Sequence, residues 1–341
     1  MAHNLASLFG QAAEEQTNGT GHMIAWTGNT PWHGLGTSVE GLMTTHEALN
    51  LAGLNWTVEK RPLTYNHNDA WHVVPETYAV VREDGLPLTR NGKAVGRVFT
   101  CLQNEDALSF MDDLLQSHEA SIEVAGALGN GEHVWVLARL PDVFKVGNND
   151  EMHAYVLISN SHDGTGSVKF LLTPIRVVCN NTLTLALGMK TTRYNMRHTS
   201  KMGERVDEAR MALGLVREGM GEWTEMANGL IKVEMGGDAM NDYFIDTLGL
   251  SCRKDEPDVL TTRSMNILTS VHQVLARPTN SIGGMEGTAW AAYNAVTEYI
   301  DHEATSLRSG EKSLKRMESA LFGTLSKTKQ KAWTNAMVMM A

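Results

Sequence analysis

The hydrophobic rhythm of the chain changes once, near its middle. From Trp56 the apolar positions fall in short strand-like runs, Trp56–Lys60, Tyr78–Val81 and Val95 to Cys101. Asn-His-Asn-Asp at 66–69 and Glu-Asp-Gly at 83–85 supply turn signals between them. Asn104 to Gln116 instead carries Ala107, Leu108, Met111, Leu114 and Leu115 at helical spacing. There Asn104 is the expected N-cap, with Glu105 and Asp106 in the first turn. Three strands follow, Ser121–Ala127, His133–Leu140 and Ala154–Asn160, the first two joined through the hairpin signal Gly129-Asn130-Gly131. Another strand, Ser167 to about Thr173, leads through Pro174 into Arg176-Val177-Val178-Cys179.

Beyond that point the period lengthens. Met202, Val206, Ala209, Leu213, Val216, Met220, Trp223, Ala227 and Leu230 are separated by 4,3,4,3,4,3,4,3, one seam of a long helix. Thr199 or Ser200 is the expected N-cap. Gly214, Gly219 and Gly221 each weaken the helix by about 1 kcal/mol relative to alanine, so a bend or break is expected there. Further helices are predicted from about Met285 to His302 and from Glu311 onward. The expected architecture is therefore α+β: a loosely ordered arm (1–30), a mostly antiparallel sheet domain with an inserted helix (31–185), and a helical region (186–341).

Composition narrows the class. The 341 residues are 42% hydrophobic and 20% charged, which suits a sizeable core and excludes a disordered or fibrous chain. Cys101, Cys179 and Cys252 lie far apart without a CxxC pair, so a disulfide framework or cysteine zinc site is not expected. The N-terminus lacks a basic region followed by an apolar core, and no apolar run reaches the roughly 18 residues of a membrane helix. A cytoplasmic protein without a membrane partner is expected.

The net charge of −10 argues against a general nucleic-acid glue, but its distribution is uneven. Residues 102–163 hold eleven acids and two bases. Residues 186–217 hold Lys190, Arg193, Arg197, Lys201, Arg205, Arg210 and Arg217 against three acids, and residues 308–331 hold seven bases against two. These islands are either solvated helix faces or parts of a phosphate-tracking groove. Lys201 and Arg205 lie one turn apart outside the apolar seam. Lys190, Arg193 and Arg197 extend that stripe if the helix begins early, or occupy the loop entering it.

Few residues suggest chemistry. Ser161-His162-Asp163 and Cys179 supply the types needed for a nucleophile site, although a cysteine ending a Val-Val run is more commonly inert, and His-Asp-Gly is an ordinary turn. The histidines show no metal-ligand spacing, and Trp32-His33 and Trp71-His72 read as packing residues. Gly34-Leu35-Gly36 lacks the strand and helix of a dinucleotide site. Arg176 stands in an apolar run, where a guanidinium needs a carboxylate, Asp163 by preference, or a ligand phosphate. No catalytic residue, metal ligand or cofactor is assigned.

Five blocks occur in order along the chain: Pro31-Trp32-His33-Gly34-Leu35-Gly36-Thr37, Ser159-Asn160-Ser161-His162-Asp163-Gly164, Thr173-Pro174-Ile175-Arg176-Val177-Val178-Cys179-Asn180-Asn181-Thr182-Leu183, Arg197-His198-Thr199, and Thr288-Ala289-Trp290-Ala291-Ala292-Tyr293-Asn294-Ala295-Val296-Thr297-Glu298-Tyr299. Together they resemble the phage/plasmid-like protein family, also called domain of unknown function 932, over about residues 24 to 335. The resemblance implies a mobile-element protein acting inside a bacterial cell and supplies no catalytic residue. The sheet-with-helix pattern is also loosely similar to the core of single-strand annealing proteins, an analogy of fold alone.

Three functions are compatible with these features. The first is binding of nucleic acid, in particular annealing or protection of single-stranded DNA in recombination or replication, through Arg176, Lys190, Arg193, Arg197, Lys201 and Arg205, by a chain that could act as a homo-oligomer. The second is an interaction protein that inhibits or mimics a host defence or nucleic-acid factor. The third is an enzyme using Cys179 and His162.

Overall fold

The computed structural model describes residues 23–27, 37–39, 43–89, 93–108, 120–176, 193–196, 206–304, 319 and 323–340. Among the described residues ten strands precede the long helices, an α+β arrangement with the helices concentrated in the C-terminal half. They are β1 (Ile24–Thr27), β2 (Thr37–Val39), β3 (Val58–His67), β4 (Ala70–Arg82), β5 (Val95–Gly96), β6 (Ser121–Leu128), β7 (His133–Val146), β8 (Asp150–Ser161), β9 (Val168–Arg176) and β10 (Arg193–Met196). Two sheets result, one of order β10-β9-β8-β7-β6-β1-β2 and one of order β3-β4-β5. β1 and β2 run parallel, whereas β1 with β6, β6 with β7, β9 with β10, β3 with β4 and β4 with β5 pair antiparallel.

The chain divides into two compact units that interleave along the sequence. The first comprises Met1–Pro141, Tyr155–Leu171 and Arg193–Gly214. The second comprises Asp142–Ala154, Leu172–Thr192 and Leu215–Ala341.

In the first unit, Ile24, Ala25, Leu54, Trp56, Ile122, Ala125, Val136 and Ala138 are buried. Ile24–Thr27, expected within a loose arm, forms instead a buried strand whose Ala25 stands opposite Ala125 of β6. The β6–β7 hairpin turns through Gly129-Asn130-Gly131 as the sequence predicts, with positive φ at both glycines. A Cβ at Gly131 would sit 2.6 Å from the Trp56 ring, so the turn also depends on close approach of a side chain. Helix α1 (Thr45–Leu51) begins with a capping box between Thr44 and Glu47. The helix expected from Asn104 is present over 104–108, and its remainder lies outside the described residues. The strand expected from Val95 to Cys101 is confined to Val95–Gly96.

The second unit is built on helices α2 (Val206–Ile231), which begins in the first unit, α3 (Gly237–Leu248), α4 (Thr262–Leu275), α5 (Ala289–Glu298) and α6 (Thr324–Met340). The seam of α2 holds where side chains are described: Met220, Trp223, Ala227 and Leu230 are fully buried. The helix runs unbroken through Gly214, Gly219 and Gly221, so tertiary packing outweighs their weak propensity. Its expected start at Met202 lies outside the described residues. Every residue of α5 is buried, and Thr288 caps it, its Oγ1 accepting from the Ala291 amide. The Trp223 ring stacks on Trp333 at 5.4 Å and meets Trp290 edge-on at 5.8 Å. A π-helical turn, Tyr299–Glu303, continues α5 and turns Asp301 inward against Lys329 of α6. No helix among the described residues is long and apolar enough to cross a membrane.

Candidate nucleic-acid interface

Two arrangements in the first unit bear on function, one interior and one exposed. The interior one is formed by Ser159-Asn160-Ser161-His162-Asp163-Gly164 at the end of β8, where Ser159 to Asp163 are at most 3% exposed. Asn104 donates from Nδ2 to the Leu54 carbonyl (2.8 Å), so its Oδ1 accepts, and the His162 Nε2–H donates to it at 2.8 Å. Asn104 is therefore an internal tie rather than the expected N-cap. Asn160 donates to the Leu102 carbonyl, and the His162 amide donates to the Glu132 carbonyl. The His162 ring packs 5.3 Å from that of Trp56, and the Arg82 guanidinium lies 4.7 Å from the centre of the same Trp56 ring.

Asp163 closes the turn. Its Oδ1 accepts from Ser161 Oγ (2.6 Å), Thr165 N (2.9 Å) and Thr165 Oγ1 (2.5 Å), and its Oδ2 lies 3.4 Å from His133 Nε2. Burial pushes the pKa of this carboxyl up, but His133, Ser161 and Thr165 together outweigh burial and hold it well below the usual carboxylate range. Gly164 follows at φ +69°, where a Cβ would meet Val95 Cγ1 at 2.6 Å. The block is a latch that fastens β8 to 102–104 and to the β6–β7 turn. Ser161 and His162 are buried in it, Ser161 Oγ bonded to Asp163 and His162 Nε2 to Asn104, and Cys179 lies outside the described residues.

The exposed arrangement is the β3–β4 hairpin. The sequence predicts two short strands here, whereas the structure has strands of 10 and 13 residues. Asn68 and Asp69 both take positive φ (51° and 61°), the type I′ conformation that joins twisted antiparallel strands by two residues. Every residue from Thr64 to Val73 is exposed. This outer segment is separated from the root of the hairpin by a bulge: Pro62 pairs with Tyr78 and Thr64 with Val73, so Leu63 faces Val74, Pro75, Glu76 and Thr77. Glu76 takes φ 51°, a conformation uncommon for a residue with a Cβ. Trp71 is 73% exposed and Tyr65 is 53% exposed. The Tyr65 and His72 rings stack at 5.3 Å and 25°. Trp71-His72, expected as packing residues, are thus surface residues, because the outer part of β4 that carries them is exposed while only its Ala79–Arg82 end is buried.

The basic candidates are placed only in part. Arg193 opens strand β10, opposite Leu171 of β9, and not a helix or its entering loop; pairing along 193–196 prevails over the helical spacing of the cations. Arg176 ends β9, and its side chain, with Lys190, Arg197, Lys201 and Arg205, lies outside the described residues. Asp163, the carboxylate expected to answer Arg176, accepts from Ser161 and Thr165 and lies 3.4 Å from His133, and its pairing with Arg176 lies outside the described residues. In the third charged segment Lys329 is buried on Asp301, and Lys331 bonds Asp246, so those two cations serve the helical unit.

These features define an α+β protein with an internally latched sheet and a protruding aromatic hairpin. The chain belongs to the family described as Domain of unknown function (DUF932), whose profile matches residues 93–321. The latch lies within the matched segment, and the hairpin arm precedes it. No curated protein and no solved structure matches the chain.

Proposed function

We propose that this protein binds single-stranded nucleic acid and serves a phage or plasmid in annealing or protecting DNA. The observation that carries the reading is the arm from Thr64 to Val73, which holds Trp71 and Tyr65 in water on a short, tightly turned hairpin. Rigid exposed rings are what unpaired bases stack on, and each such stack contributes about 1–3 kcal/mol. The basic segment from Lys190 to Arg205 supplies the complementary electrostatic part, attraction to phosphates. The family resemblance supports the mobile-element setting. The burial of Ser161 and His162 in the latch makes a catalytic reading of that block less favourable.

The two contributions respond differently to salt, which makes the reading testable. Titration of a fluorescent single-stranded oligonucleotide by anisotropy at several salt concentrations should show binding. Trp71→Ala should weaken it by about 5- to 150-fold, leaving the salt slope and the melting temperature unchanged. Arg193, Arg197, Arg205→Ala should flatten the slope by about 0.7 per cation removed. Absence of binding at low salt, or full affinity in Trp71→Ala, overturns the proposal; the former result returns the acidic chain to the reading of a protein-binding inhibitor.

A further inference from the structure

The pleat of the arm sets its aromatic rings back to back. Cross-strand partners share a face, and alternate residues change face. Tyr65 is opposite His72 and His67 is opposite Ala70, placing Tyr65, His67, Ala70 and His72 on one face. The contacts of His72 with both Tyr65 and His67 agree with that placement. Thr64 is opposite Val73 and Asn66 is opposite Trp71, so these four occupy the other. Both faces are in water.

An arm built to dock on one protein surface would gather its apolar groups on one face. Here the large rings are divided between the faces, with Asn66, Thr64 and Val73 beside Trp71, and His67, Ala70 and His72 beside Tyr65. Between Thr64 and Val73 there is no lysine or arginine, so the outer arm itself does not track phosphates. Cations stand at its root instead. Arg61, paired with Glu59, is 56% exposed in its side chain, and Arg97, 3.8 Å from Glu76, is 78% exposed; Lys60 donates to the Arg97 carbonyl and so ties β3 to the residue after β5. Four residues of extended strand span roughly 13 Å, the length of about four stacked nucleotides.

We infer that the arm is a wedge for a junction where two nucleic-acid strands part, with bases of one strand stacked on Trp71, bases of the other stacked on Tyr65 and His72, and the parted backbones passing Arg61 and Arg97. The inference rests on the single-strand-binding reading and adds its substrate, a fork rather than a uniform strand. The bulge at Glu76 separates the wedge from the core, so outer side chains can be replaced without disturbing the root.

The test compares the full chain with a single strand, a blunt duplex and a forked duplex of the same sequence, by anisotropy at one salt concentration. The fork should bind at least about fivefold more tightly than the single strand, because two stacking faces are engaged rather than one. Trp71→Ala and Tyr65→Ala should each reduce that preference, and the double variant should abolish it with an unchanged melting temperature. Equal affinity for fork and single strand, with both weakened by Trp71→Ala, overturns the wedge while the stacking reading stands. Equal affinity of parent and double variant for all three, or no binding to any, overturns both.

Discussion

Lys329→Met should destabilise the helical unit by about 3–5 kcal/mol, the cost of leaving a buried charge without its partner. Lys329 and Asp301 are 1% and 0% exposed, with Nζ 2.5 Å from Oδ1. The pair joins the π-helical turn after α5 to α6, beside the packed rings of Tyr293 and Trp333. Removing only the lysine leaves the buried Asp301 carboxylate without its ion-pair cation. Removing both charges does not, so Lys329→Met combined with Asp301→Leu should recover most of the loss. In thermal unfolding the single variant should lower the midpoint by on the order of 10 °C. A loss below about 1 kcal/mol would show that the site hydrates readily and that the pair does not hold α6 in place.

Asp163→Asn should have the next largest effect, about 2–3 kcal/mol at neutral pH, through loss of the charge on an acceptor of three local hydrogen bonds. The pH dependence has a definite sign. The folded state holds this carboxyl below its ordinary pKa of about 3.9, so its stabilisation is complete above that value and is lost as pH falls toward the folded pKa. The parent should therefore lose stability from about pH 5 downward more steeply than Asp163→Asn, and the two urea-unfolding curves should converge in acid. Parallel curves across that range would contradict the latch.

How much of this could be read from residues varies with the physics of each element. The turn at 129–131 and the seam from Met220 to Leu230 were legible, because special backbone angles and a buried stripe leave direct marks on composition. Helix α1 also left a mark, the Thr44-x-x-Glu47 capping box, which the apolar pattern alone does not reveal. Ile24–Thr27 gave little signal: four residues next to a small polar stretch are buried only because β6 and β2 flank them. The arm shows the opposite limit. Both of its faces meet water, so the alternation that marks a half-buried strand is missing, and only Asn-His-Asn-Asp announced its turn. Trp71 and His72 looked like packing residues for the same reason, since exposure cannot be inferred from residue type. The latch was visible as a motif but not as a function; Asn104, its distant partner, is brought in by folding.

The central claim, that unpaired bases stack on the rings of the arm, is tested most directly by photo-cross-linking. A single-stranded oligonucleotide carrying 5-iodouracil, irradiated with the full-length chain and mapped by mass spectrometry, should form adducts at Trp71 or Tyr65, and these should disappear in the Trp71→Ala, Tyr65→Ala variant. Efficient adducts confined to residues outside Thr64–Val73, or unchanged yield from that variant, would contradict the account.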